Sequence, residues 1–399
     1  MKNIIKNFKD FKDNKLIKES RINVEIPIPN DIKEIANAYT KAGKDIFLVG
    51  GCIRDFLLGK KPKDWDLVTN ALPEESKSIL KGFRVSDEQG KNFGVLRVYT
   101  NQEPEGYEVA SYRKDISLGR DTKGDDQKVE LGSHVTIEDD CRRRDITINS
   151  LFYDIKRKEI VDLVGGIEDI KNNIVRAVGD PQKRFQEDRL RICRVFRFAS
   201  RLGADIDEKT KLAIKSDNRL RNISEKENVS QERIWEEFVK AWEQSKDFNF
   251  YLDLLTEFNM WEEMFSGVKI NTNKINSKDF IIVLTNLYLG NPTDNLERIM
   301  VQSHKIESNL AKKVVFLLNF LNFDPNEVFD FYKKKVQSNI DSDTISKWIK
   351  TMGLTDKWMV KFLDYVPSVS ATDLMENGFK GAALGQEIKK LEAEIFQKN

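Results

Sequence analysis

Residues Phe47–Thr69 read FLVGGCIRDFLLGKKPKDWDLVT. The apolar run Ile46 to Val49 bends at Gly50-Gly51 into a segment with Ile53, Phe56, Leu57 and Leu58 at helical spacing, and Gly59 stops it. That spacing predicts a strand, a tight turn and a helix. After a Lys-Pro loop, Asp64-Trp65-Asp66-Leu67-Val68-Thr69 reads as a second strand. Side chains alternate along a strand, so Asp64 and Asp66 share one face and Trp65 takes the other. Paired carboxylates at a strand end suit a hard cation: Mg²⁺ takes oxygen ligands and keeps positions for water and substrate phosphates. Asp64 and Asp66 are therefore candidate ligands for metal-assisted phosphoryl or nucleotidyl transfer. An isolated Asp-x-Asp pair is more often a solvated strand end, and the neighbouring turn is what makes this one informative. Gly50 and Gly51 free backbone N–H groups at a helix start, where phosphate binds, and Arg54 stands one turn further on to add a charge-assisted bond. No Gly-Lys-Ser/Thr follows at Walker A spacing.

Composition narrows the class. With 399 residues the chain is long enough for two or more domains, and 40% hydrophobic with 33% charged residues describes a soluble protein. No apolar run approaches the ~18 residues of a membrane span. Cys52, Cys141 and Cys193 are widely separated and fit a reducing cytoplasm, with no structural metal expected. Only His134 and His304 are present, which leaves no multi-histidine metal site and argues against an appended His-Asp phosphohydrolase domain. A net charge of +1 supplies no global field, so any nucleic-acid contact must come from local basic faces.

Met1 to Val24, rich in Lys and Asn, reads as an extension forming a short amphipathic helix or a frayed arm. Its Asp10, Asp13 and Glu19 argue against an organelle transit peptide. Asp31 to Ala42 reads as a helix ended by Gly43. Phe83 to Val109 reads as a hairpin followed by a strand that carries Tyr107, Val109 and Ser111 on one face and Glu108, Ala110 and Tyr112 on the other. Glu108 is the only acid inside that strand and is the candidate third carboxylate. Lys114 to Val135, polar and without period, reads as a mobile loop. Ile137 to Phe152, IEDDCRRRDITINSLF, orders acids, then Arg142, Arg143 and Arg144, then an apolar run, as a helix start would. On one helix Asp145 and Asn149 would share a face. Val161 to Gly179 reads as structural, with Asp162 bracing the Gly165-Gly166 turn. Phe185 to Gly203 reads as a helix with Leu190, Cys193, Phe196 and Ala199 inward and Asp188, Arg191 and Arg194 at spacing three on another face. A carboxylate only accepts and a guanidinium only donates. Asp188 and Arg191 would thus take the amino group and ring nitrogen that cytosine and adenine share, and reject guanine and uracil. Beyond Gly203 the chain reads as helical to its end.

These stretches, in this order, resemble the class II tRNA nucleotidyltransferases (CCA-adding enzymes) and the related bacterial poly(A) polymerases. The likeness rests on LVGGCIRDFLLGKKPKDWDLVT, on Glu108-Val109-Ala110-Ser111-Tyr112-Arg113 with Tyr for the family's Phe, and on Arg143-Arg144-Asp145-Ile146-Thr147-Ile148-Asn149-Ser150. It continues through Glu187-Asp188-Arg189-Leu190-Arg191 and Ser230 to Trp242, and resumes near Ala371 to Leu391. The resemblance implies a polymerase-β-like nucleotidyltransferase head, an α+β unit with a small mixed sheet, followed by an all-α neck, body and tail. It implies that Asp64, Asp66 and Glu108 are the catalytic carboxylates and hold Mg²⁺. It also implies that Arg144 and Asp145 contact the nucleotide's phosphate and ribose, with Asn149 beside them, and that Asp188 and Arg191 form the protein template. Arg194 and Arg197 continue that helix toward the triphosphate. Gly50, Gly51 and Arg54 complete the expected nucleotide-binding set.

The expected segments are an extension over 1–25, a catalytic head over 26–172, a neck over 173–242, a body over 243–340 and a tRNA-binding tail over 341–399. The expected reaction is addition of CCA to a tRNA 3′ end from CTP and ATP with release of pyrophosphate. The loop, full length by comparison with the family, favours addition of the terminal A. The expected partners are tRNA, ATP and CTP, with neither DNA nor a membrane. The alternatives are a poly(A) polymerase, a partial CC- or A-adding enzyme, and an inactive RNA-binding relative. The intact Asp64, Asp66, Arg144, Asp188 and Arg191 argue against the last.

Overall fold

The computed structural model describes residues 20–87, 94–116, 128–132, 134–220 and 229–398. The chain divides into two compact units, Met1–Val229 with Glu243–Leu254, and Ser230–Trp242 with Leu255–Asn399. The expected order of a mixed α/β head followed by helices is what the elements show.

The first unit begins with β1 (Ser20–Asn23) and α1 (Asn30–Lys41). The end of the expected N-terminal extension is therefore a sheet strand, while residues 1–19 lie outside the described residues. Helix α1 follows Pro29, carries Asp31 in its first turn and Lys41 in its last, and stops before Gly43, close to its predicted limits. It buries Ile32, Ile35, Ala36 and Tyr39, a stripe at helical spacing. Asp31 is buried in the same stripe and accepts hydrogen bonds from Thr100 Oγ1 (2.6 Å) and Tyr107 Oη (3.0 Å), which ties the helix to the sheet.

Strand β2 (Ile46–Val49), helix α2 (Gly51–Leu57) and β3 (Asp66–Thr69) realise the strand, turn, helix and strand read from the central stretch. Asp64 lies just ahead of β3 rather than inside it. After α3 (Pro73–Ile79), β4 (Arg84–Ser86) and β5 (Val95–Tyr99) form the predicted hairpin, whose tip at 88–93 lies outside the described residues. Strand β6 (Tyr107–Ser111) pairs with β5 antiparallel and with β3 parallel. The expected loop over Lys114 to Val135 is in part a ribbon: β7 (Arg113–Ile116) pairs with β8 (Lys128–Leu131), and residues 117–127 lie outside the described residues.

The single helix expected over Ile137 to Phe152 is corrected. Helix α4 (Ile137–Arg142) opens on a capping box between Thr136 and Asp139 but ends at once, and a 3-10 turn at Thr147–Asn149 leads into β9 (Leu151–Asp154). The reason is local. Asp145 Oδ1 captures the N–H of Ile146 at 2.8 Å and the Ser150 hydroxyl donates to the Ile146 carbonyl at 2.8 Å, so side chains replace helical partners. Asp145 and Asn149 consequently do not share a helix face. Strand β10 (Glu159–Asp162) follows, then α5 (Gly166–Asn172). Asp162 carries the structural role expected of it: its carboxylate accepts from the N–H groups of Val164, Gly165, Gly166 and Ile167.

The eight strands lie in the order β1-β10-β9-β2-β3-β6-β5-β4. Alternation sorts their side chains. Leu48, Leu67, Val98, Tyr107, Val109 and Tyr153 pack on one face with α1, and Val49, Val68, Tyr112, Phe152 and Val161 on the other with Cys141. A short parallel pair, β11 (Ile174–Val175) with β12 (Asp205–Ile206), brackets α6 (Pro181–Glu187) and α7 (Leu190–Leu202). The one helix expected over Phe185 to Gly203 is thus two. Asp188 is extended at φ −152°, and its Oδ1 accepts from the Leu190 N–H at 3.0 Å, capping α7 instead of extending α6.

The second unit is helical. Trp235, Phe238 and Trp242 form an aromatic stripe that meets Phe280, and Phe238 also meets Phe265. Ser230 Oγ accepts from the Arg233 N–H, in the capping position expected. Further along, Phe316, Phe320, Phe331, Trp348, Phe362 and Phe396 build one buried cluster. The final helix, Gly381–Lys398, is pinned by fully buried Glu392, which accepts from the N–H groups of Ser368 and Val369 (both 2.6 Å) and from Tyr365 Oη (2.8 Å). No helix among the described residues is long and apolar enough to cross a membrane.

Candidate nucleotidyl-transfer site

The site is built where β2 ends. Gly50 adopts φ +79° and ψ −123°, a conformation suited to glycine, and its N–H donates to the Leu151 carbonyl at 3.0 Å. A Cβ at Gly50 would lie 3.5 Å from the Asn149 carbonyl oxygen and 3.9 Å from Arg144 Nη1. The turn, Asn149 and Arg144 are therefore contiguous, as the motifs require. At Gly51 a Cβ would lie 3.4 Å from Arg54 Nη2.

Arg54 is placed differently from expectation. It is 2% exposed, donates from Nε to Asp55 Oδ1 at 2.9 Å and from Nη1 to Asn149 Oδ1, and its guanidinium stands 5.2 Å from the centre of the Phe198 ring. Asp55 in turn accepts from Arg201 Nη2 at 3.1 Å. With its donors engaged below the turn, Arg54 braces the Gly-Gly segment against Asn149 and α7 rather than presenting a charge to a phosphate.

The acids stand on one sheet face. Leu67 and Val109 pack on the α1 side, so Asp66 and Glu108, their neighbours in sequence, point to the opposite side. The parallel register sets Leu67 beside Val109, which brings Asp66 next to Glu108 across the two strands. Trp65 packs toward the α1 core, and Asp64 and Asp66 are both exposed, consistent with the alternation read from the sequence. Although Asp66 meets solvent, the atoms packed around it and the neighbouring Glu108 push its carboxyl up to about 6; Asp64 adds to the push, and Arg144 and Arg97 oppose it. One field therefore joins all three predicted carboxylates with Arg144. Among the described residues no three His, Cys, Asp or Glu side chains converge closely enough to hold an ion as they stand. Glu108 is instead engaged by Arg97, whose Nη2 lies 2.5 Å from its Oε1.

The basic motif is held from beneath. Buried Asp140 accepts from Arg143 Nη2 (2.6 Å) and Arg144 Nη2 (2.8 Å). Burial alone would raise Asp140, but the guanidinia of Arg144 and Arg143 outweigh it and hold the carboxyl below its ordinary value. Arg144 also lies 5.3 Å from the Phe152 ring centre, which fixes its direction toward Gly50. Asp145 accepts from Arg194 (2.7 Å from Nε), joining the basic motif to α7; that pair overcomes the effect of burial and keeps Asp145 acidic.

On α6 and α7 the predicted row is rearranged. Asp188 sits in the break. Arg191, 8% exposed, donates to Glu187 Oε2 (2.8 Å) and to the carbonyls of Arg184 (3.1 Å) and Arg143 (2.9 Å). Arg197 is buried, donates to Gln244 Oε1 at 3.0 Å and lies 4.3 Å from the Phe198 ring centre. Gly50, Gly51, Asn149, Arg144, Asp64, Asp66 and Glu108 are brought together, and Asp145, Arg191 and Arg194 border them through the basic motif. Sequence reading missed Asp140, Asp55 and Arg97. The i,i+4 spacing of Asp140 and Arg144 was a usable signal; Arg97 needed the hairpin register.

A cavity of 570 Å³ opens at the other end of β2 and β3, lined by Asp45, Phe47, Asn70, Tyr112 and Lys156 among others, away from this chemistry. It is separate from the site described.

Residues 46–176 match the family model described as the poly A polymerase head domain. The chain is 31% identical over 379 residues to a CCA-adding enzyme of Lactobacillus helveticus, covering 88% of each. It is 35% identical over 234 residues to poly(A) polymerase I of Escherichia coli, covering 57% of this chain and 48% of that one. Among solved structures, the Bacillus stearothermophilus CCA-adding enzyme in complex with CTP superposes with a TM-score of 0.66 over 94% of both chains at 21% identity, a likeness of fold.

Proposed function

The chain belongs to the family that unites CCA-adding enzymes with bacterial poly(A) polymerases, and from that premise we propose that it adds CCA to the 3′ end of tRNA from CTP and ATP. The observation that carries the choice is coverage. Two CCA-adding enzymes match through 88% and 92% of this chain and 88% and 93% of their own length, whereas poly(A) polymerase I matches cover 57% to 67% of this chain and about half of their own. The segment limits read from the sequence, the tRNA-binding role of the tail and a cytoplasmic location belong to the same proposal.

In this reading the 3′ hydroxyl of the RNA attacks the α-phosphorus of the bound nucleotide and pyrophosphate leaves. Asp64, Asp66 and Glu108 would hold Mg²⁺: their hard oxygen donors suit it, and the crowding that raises Asp66 is what a cation relieves. Bound there, Mg²⁺ supplies charge neutralisation at the leaving group and a lowered pKa at the attacking hydroxyl. The Gly50 N–H is held by the Leu151 carbonyl, so it is the Gly51 N–H that would receive a phosphate oxygen, and Arg144, aimed by Asp140 and Phe152, adds positive charge beside it. Arg54 positions the turn. Asp145, kept acidic by its pairing with Arg194, would accept from a ribose hydroxyl. Asp188 and Arg191 accept from the amino group and donate to the ring nitrogen of cytosine or adenine.

The test is incorporation of each labelled nucleoside triphosphate, with Mg²⁺, into tRNA transcripts ending before CCA, after C and after CC. The expected outcome is C, C, then A, then a stop. Long A tracts on any RNA would make the chain a poly(A) polymerase, and no addition would make it an RNA-binding relative. Asp66→Ala is expected to reduce addition at least a thousandfold while leaving tRNA affinity within about twofold.

A further inference from the structure

The acidic row does not end at Glu108. Strand β5 pairs with β6 so that Arg97 lies directly opposite Glu108, and Leu96 and Val98 point the other way into the core. Asp66, Glu108 and Arg97 therefore stand in line across β3, β6 and β5 on one sheet face. Arg97 is clamped there. Nη2 is 2.5 Å from Glu108 Oε1, and Nη1 donates to the Glu105 carbonyl at 3.0 Å. Its stem lies over Gly106, where a Cβ would come within 2.6 Å of Arg97 Cγ, so the turn residue leaves the room the arginine occupies. No other cation among the described residues shares a salt bridge with Glu108.

We propose that Arg97 is a positioning residue, the resident counter-ion of Glu108, which an entering divalent cation must displace, so that Arg97 sets the cation affinity of the site. The proposal rests on the reading of Asp64, Asp66 and Glu108 as the metal-holding carboxylates. Its chemistry is competition between a guanidinium and a divalent cation for one carboxylate. With Arg97 in place, the row carries one uncompensated negative charge fewer, and the bare site is kept from gathering cations tightly before nucleotide arrives.

The test measures Mn²⁺ binding to the full chain by electron paramagnetic resonance at fixed ionic strength, without nucleotide or RNA, beside thermal unfolding of each variant. Arg97→Gln, which keeps a hydrogen-bond donor and removes the charge, is expected to bind Mn²⁺ roughly tenfold more tightly, the scale of losing one charge a few ångströms from a divalent ion. Arg97→Lys is expected within about twofold of the parent. A merely structural role would loosen binding, so equal or weaker affinity in Arg97→Gln overturns the proposal. Asp66→Ala separates the two readings. If the parent's Mn²⁺ binding depends on Asp66 but not on Arg97, the counter-ion role alone falls; if Asp66→Ala binds Mn²⁺ like the parent, the metal reading falls and takes this one with it.

Discussion

At Asp66, burial of its surroundings and the charges of Glu108 and Asp64 act in one direction and Arg144 and Arg97 in the other, and the acid-raising side wins, to about 6. The stability consequence has a definite sign. A carboxyl raised in the folded state above its unfolded value near 4 stabilises the fold below pH 4, and that contribution is lost as pH rises through 6. Without divalent metal, Asp66→Asn should therefore unfold at higher temperature than the parent at pH 7 to 8. After discounting for the exposure of the side chain, the gain is about 1 kcal/mol, and it should vanish at pH 4. Thermal melts at the two pH values check it. Asp188 invites a different test, because its carboxylate both caps α7 and is assigned to base selection. Asp188→Ala should lose discrimination against UTP and GTP at least tenfold and cost about 1 kcal/mol of stability. Unchanged selectivity with the same stability loss would leave Asp188 only its capping role.

Among the elements, the connections decide more than the strands and helices do. The turn after β10 is organised by one residue, since Asp162 is 2% exposed and accepts four backbone N–H groups. Asp162→Ala orphans those donors and should cost about 3 kcal/mol in denaturant unfolding. Gly166 in that turn has no room for a side chain, because its Cβ would lie 2.3 Å from the Thr147 carbonyl. The turn after β10 and the 3-10 turn bearing Asn149 are thus packed against each other, and the Gly50-Gly51 turn rests on Asn149 through Arg54. A defect at Asp162 should accordingly lower nucleotide addition as well as stability, although Asp162 is no part of the acidic row.

For the whole molecule, the head and the helical part are built on different bonds. The first unit joins its elements by sheet pairing and buried ion pairs such as Asp140 with Arg143 and Arg144. The second relies on aromatic packing and a few buried polar pins. Glu392 is the chief of these, and Glu392→Ala should remove about 3 kcal/mol from the second unit by leaving the N–H groups of Ser368 and Val369 without a partner. The calorimetric transition of that unit should shift down, while Mn²⁺ binding by the first stays as in the parent.

The sequence by itself determined the strand, turn, helix and strand of Phe47 to Thr69, the exposure of Asp64 and Asp66, the hairpin with its following strand, and, past the short strand β12 that it did not foresee, the helical remainder. These follow from period and from glycine, which act over a few residues. Tertiary structure decided which local side-chain captures prevail, and so where single helices break. Asp145 and Asp188 take neighbouring N–H groups that a period count assigns to the helix, and each carboxylate's competition with the backbone is settled by what else packs nearby. It also decided which arginines brace and which face the site. Arg54 and Arg197 carry the same charge as Arg144, and the acceptors that assign each guanidinium its direction are partly local, Asp55 beside Arg54 and Asp140 one turn before Arg144, and partly brought from distant segments, Asn149 to Arg54 and Gln244 to Arg197. Arg97 belongs with these, since its place opposite Glu108 is a matter of strand register, which a pairing partner sets and a lone strand does not contain.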